Sequence, residues 1–158
     1  MNAVMQPKKK ENGQSMIELA LTITILMVLL AGTIDLGRAF FTWLAMRDAS
    51  QEGATYGSYD PAISVQNIKD YVVSLITTDV IKDPGALITV NVTFTDPNKR
   101  CLGYDPAEPS LNKPNSITVE VVYQNFPITM PFLGTILGSQ TIPIHATIND
   151  TIIKPVCP

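Results

Sequence analysis

Few residues in this 158-residue chain have the types and spacing that chemistry requires. The single histidine, His145, stands on the polar side of an alternating run with no Asp, Glu or Cys cluster beside it. Covalent catalysis needs a nucleophile with an aligned base, and nothing of that kind is legible. There is no Cys-x-x-Cys, no phosphate-cradling glycine loop and no metal-ligand pair. Asp79, Asp83, Asp96 and Asp105 are scattered over turns, where Asp-Pro and Asp-Pro-Gly contexts account for them structurally. The reading is non-enzymatic, with no catalytic residue, cofactor, metal or small-molecule substrate. One carboxylate is oddly placed. Glu18 stands inside a long apolar run, five residues after Gly13 and four after Gln14. At mid-bilayer a carboxylate costs about 2.5–3.5 kcal/mol, so one kept there normally has a partner. The plainer account puts Glu18 among the headgroups, where it favours the positive end of a helix.

The element that must carry Glu18 is the run itself. From Gln14 to Ile34 it is the sole charge. As a helix those 21 positions reach roughly 30 Å, the thickness of a bilayer core. Thr22, Thr24 and Thr33 are tolerable there because their hydroxyls can bond back to the preceding turn. Lys8, Lys9 and Lys10 precede the span, whereas Arg38 and Arg47 beyond it are offset by Asp35, Asp48 and Glu52. The positive-inside bias therefore places the N-terminus in the cytoplasm and the C-terminal bulk outside. A formal charge of −3 and the lack of a basic patch argue against nucleic acid as a partner.

No proline falls between Pro7 and Pro61, so the helix is expected to run on to Gly57, about 66 Å in all. Ala45, Ala49, Gly53 and Gly57 recur every four residues in its outer half, a row that lets another element approach closely. A shorter helix follows, with Ile68, Val72, Leu75 and Ile76 at helical spacing. The period then becomes two. Ile88, Val90, Val92 and Phe94 form one apolar face; Ile117, Val119, Val121 and Tyr123 a second; Ile142, Ile144, Ala146 and Ile148 a third. This predicts an antiparallel sheet solvated on one side, with Pro143 in an edge strand or at its start. Residues 96–115 read as an exposed loop, and 126–137 as an apolar, proline-broken segment that packs on the core or rests near the membrane. The expected fold is α+β. A long transmembrane helix extends into a small extracytoplasmic head with a second helix and a three- to four-stranded antiparallel sheet. Cys101 and Cys157 both lie on the outer side, where disulfides survive. If bonded, they close a loop with 55 residues between them, worth about 4 kcal/mol; the alternative is two unpaired thiols.

A basic leader, a glycine, and a glutamate five places later inside an apolar run together resemble the cleavage site of type IV prepilins and pseudopilins. Gly13 to Gly57 is similar, more closely, to the TadE-like family of minor pilins. The matching positions are Gly13, Glu18, Gly32, Asp35, Gly37 and Arg38, then Gln51, Glu52, Gly53 and Ala54. Two positions depart from the pattern: Leu19 follows Glu18 where aromatic residues are frequent, and no arginine accompanies Gln51–Ala54. The resemblance implies a pilin-like membrane component of a prokaryotic tight-adherence (Tad or Flp) pilus. It implies cleavage by a prepilin peptidase between Gly13 and Gln14, which removes residues 1–13; residues 58–158, beyond the long helix, read as the head. Its implied partners are that peptidase, other pilin subunits, the pilus assembly platform and the lipid bilayer. The new amine at Gln14 would then pair with Glu18, in its own chain or a neighbour's. Asp35 and Arg38, spaced i,i+3, either pair at the outer membrane surface or stay separately solvated. The competing readings are a single-pass anchor for an extracytoplasmic binding module and an exported protein with an ordinary secretory signal.

Overall fold

The computed structural model describes residues 13–60, 63–76, 81, 87–95, 115–131 and 133–152. Both cysteines, the lysine cluster and most of the 96–115 loop lie outside the described residues. The elements in order are α1 (Gln14–Tyr59), α2 (Val65–Leu75), β1 (Ile88–Phe94), β2 (Ser116–Pro127), α3 (Leu133–Leu137) and β3 (Thr141–Thr151). This is the expected α+β arrangement, with three strands.

Helix α1 is continuous for 46 residues, roughly 69 Å, and ends two residues past Gly57. Its two halves live in different surroundings. From Gln14 to Leu30 every residue but Val28 is exposed, and the apolar window is not covered by the rest of the molecule. By length and composition it is apolar and long enough to cross a membrane. Thr22, Thr24 and Thr33 donate to the carbonyls of Glu18, Ala20 and Leu29 at 2.8, 2.9 and 2.9 Å, so their hydroxyls are satisfied within the helix.

Beyond Ile34 the same helix becomes the spine of the head. Asp35, Thr42, Met46, Ala49, Ser50, Gly53, Ala54, Gly57 and Ser58 are buried, a seam at three- and four-residue spacing. The small residues work as their row suggested. A Cβ at Gly53 would collide with Val72 Cγ2, and one at Gly57 with Ile117 Cδ1. Helix α2 starts at Ser64, whose hydroxyl accepts from the Asn67 amide at 3.1 Å, an N-cap that occupies an otherwise orphan donor. Ile68, Val72 and Ile76, four residues apart, carry its contact with the core. Leu75, placed on that stripe by the sequence pattern, lies one step round the helix from that line and is 40% exposed.

The sheet order is β1-β2-β3, antiparallel throughout. Ile88, Val90, Ile117, Val119, Val121, Ile144 and Ala146 face the helices. Asn91, Thr118, Glu120 and His145 share the other face. β3 pairs only with β2, so Pro143 does sit in an edge strand. Opposite it the register shifts: Tyr123 pairs with Ile144 and Phe126 with Ile142, leaving Gln124 and Asn125 against Pro143 alone. Proline has no N–H to offer the ladder, and a bulge is where such a residue is accommodated. The extra residue also resets the alternation, so Tyr123 and Phe126 both turn inward, 7% and 2% exposed.

Strand β2 descends along α1 toward the apolar half. Ile117 lies against Gly57, Val119 against Gly53 and Met130 against Gly32. Phe126 sits beneath Arg38, whose guanidinium is 5.5 Å from the ring centroid.

Candidate functional site

Three places hold the residues singled out in the sequence. The first is the start of α1. Gly13 is the N-cap, exposed, with no side-chain cap and nothing within 4 Å of where a Cβ would stand. Its carbonyl accepts from the Ile17 amide at 3.3 Å, so the helical ladder begins immediately after the Gly13–Gln14 bond. Glu18 is exposed one turn beyond Gln14, on the same side of the helix. Among the described residues nothing covers Gly13, Gln14 and Glu18, which form one group at the helix terminus.

The second is the junction between the two halves of α1. Asp35 is 5% exposed, yet its carboxylate is fully engaged. Oδ2 accepts the backbone amides of Thr129 and Met130 at 2.7 and 2.6 Å, and Oδ1 accepts the Thr129 hydroxyl at 2.6 Å. Arg38 Nη1 lies 3.5 Å from Oδ1, so the i,i+3 pair does form. Burial by itself pushes the Asp35 carboxyl up. The Thr129 hydroxyl, the Met130 and Thr129 amides and then Arg38 outweigh it and hold the group below its ordinary value. The arginine side chain remains 39% exposed while it pairs with Asp35 and covers Phe126. Sequence spacing pointed to Arg38 and missed Thr129 and Met130. The available signal was an acid just past the apolar run, with an uncharged, proline-broken segment elsewhere needing an anchor.

The third is the open face of the sheet. His145 Nδ1 lies 3.7 Å from Glu120 Oε1, and Asn91 donates to Glu120 Oε2 at 3.1 Å. These are solvent-facing cross-strand pairs of small energetic weight. Among the described residues no group of three or more His, Cys, Asp or Glu side chains converges on a point that could hold a metal ion.

An exposed apolar helix whose far half is built into the core of an α+β head defines a pilin-like class of protein. The family model described as TadE-like protein matches residues 13–55, a segment that lies almost wholly within α1, so the N-terminal helix is similar to that family. The match opens at the candidate cleavage glycine and closes inside the seam that packs on the sheet. No match is found among curated proteins or among solved structures.

Proposed function

We propose that the chain is a TadE-like pseudopilin, or minor pilin, acting structurally in assembly of a Tad/Flp-type pilus. A prepilin peptidase cuts it after Gly13. Residues 14–34 stay in the cell membrane with their N-terminus at the cytoplasmic face, and the head projects outside. Other pilin subunits and the assembly platform are its partners. The observation that carries this reading is a coincidence of boundaries: the TadE-like match begins at Gly13 and the helix at Gln14. Cleavage there removes the lysines and exposes an ammonium at the helix N-terminus. Glu18, one turn on, is the carboxylate that neutralises it within the chain or across to a neighbouring helix. A paired charge in lipid is far less costly than a lone one, so the pairing also sets subunit stagger. Arg38, with its exposed face, is available to the same assembly, while Asp35 keeps the head in position. Cys101 and Cys157 are assigned a disulfide in this outer compartment.

The mass of the membrane-extracted chain tests processing. The wild type should lack residues 1–13, and Gly13→Leu should retain them; an intact wild-type N-terminus would overturn the cleavage claim. Glu18→Ala should still insert but fail to assemble. Normal assembly in that variant would overturn the role given to Glu18, and a wild-type chain that inserts but never enters a filament would leave a tethered binding module as the better description.

A further inference from the structure

From Val121 to Ile144 the chain carries no charged side chain. The middle of that stretch forms a closed excursion between β2 and β3. Ile128 donates to the Gln140 carbonyl at 2.9 Å across its neck, and the Gln140 side chain packs over Gly134. The three hydrogen bonds to Asp35 fix its near end at the first residue beyond the apolar run. Met130 reaches lower still: its sulfur would lie 3.4 Å from a Cβ on Gly32, which is two residues inside that run. Met130 is therefore level with the last turn of the span, and the excursion continues from that point through Pro131. The excursion leaves Pro131 exposed and Ile136 78% exposed.

We infer that this β2–β3 excursion is a membrane-contacting ledge. Resting on the anchoring of α1 proposed above, it seats Ile136 in the outer leaflet at the boundary between headgroups and acyl chains. The occupant is lipid because the ledge is uncharged, apolar and joined to a helix face that itself continues into the bilayer. On this arrangement the head is held against the membrane surface. Trp43, nine residues past Ile34, stands about 13 Å above the end of the span and clear of the hydrocarbon.

The test uses the full chain in phosphatidylcholine–phosphatidylglycerol vesicles containing phosphatidylcholine brominated at shallow or deep acyl positions. Trp43 is the only tryptophan, so Trp43→Phe supplies a dark background for single reporters. In it, Ile136→Trp and Thr135→Trp are expected to emit to the blue of Thr147→Trp on the open sheet face, and to be quenched most by shallow bromines. Leu26→Trp should be quenched most by deep ones. If Leu26→Trp is quenched while both ledge reporters match Thr147→Trp, the ledge is refuted and the anchor stands. Blue-shifted ledge reporters that no bromolipid quenches would mean that protein covers the site, which also overturns the inference. An unquenched Leu26→Trp would remove the anchor and the ledge together.

Discussion

Asp35 shows how a single carboxylate can be more useful inside the head than on its surface. Two amides and a hydroxyl from residues 94 and 95 positions away converge on it. Removing the charge leaves buried donors without an acceptor, the expensive direction of an unmade hydrogen bond. Asp35→Ala is therefore expected to destabilise the head by about 2–4 kcal/mol, and Asp35→Asn by less, in urea unfolding of the detergent-solubilised chain. The pH dependence has a definite sign. The folded carboxyl titrates below its ordinary value, so its contribution is fully present above about pH 4 and is lost as pH falls through the lower, folded value. Unfolding midpoints measured against pH should show that acid-side slope in the wild type and a shallower one in Asp35→Asn. Equal slopes would mean that other carboxylates carry it.

Among the elements, α1 decides the architecture because one unbroken helix has two different jobs. Its apolar half needs no tertiary partner, since its backbone is satisfied internally and its hydroxyls bond back to the preceding turn. Its outer half depends on close approach. Both glycines of the seam lower helix propensity by about 1 kcal/mol against alanine, yet alanine should not help. At Gly53 the new methyl meets Val72 Cγ2, a branch with one stiff torsion. At Gly57 it meets the Cδ1 tips of Ile117 and Ile68, the latter at 2.9 Å, and these can swing away. Gly53→Ala is thus expected to cost about 1–3 kcal/mol and Gly57→Ala less. Val72→Ala combined with Gly53→Ala should show favourable coupling in a double-mutant cycle, and strict additivity would argue against the collision.

For the molecule as a whole, the division of α1 makes the head separable from its anchor. The buried apolar cluster draws on Met46, Ala49 and Ala54 from α1 and takes nothing from residues 14–34. A chain of residues 35–158 is expected to stay in solution without detergent and to unfold in one cooperative thermal transition. It should melt slightly below the full chain because the Met130–Gly32 contact is gone. A gradual, non-cooperative melt would show that the span supports the head directly.

The apolar span, the extension of its helix to the Gly57 region, the second helix and the three alternating strands were all legible in the sequence. Each depends on periodicity and breakers within a short window: period two for strands, three to four for helices, and glycine or proline at the ends. The TadE-like pattern of Gly13 to Ala54 was legible for the same reason, being local and linear. The choice between paired and solvated Asp35 and Arg38, the bulge facing Pro143 and the outward turn of Leu75 were not. Neither was the descent of residues 126–130 along the helix toward Gly32. Those features depend on which distant side chains arrive at the same place once the sheet folds against α1. Local preference sets what each segment becomes; only the packing of segments some 90 residues apart determines which carboxylate is buried, and by whom it is held.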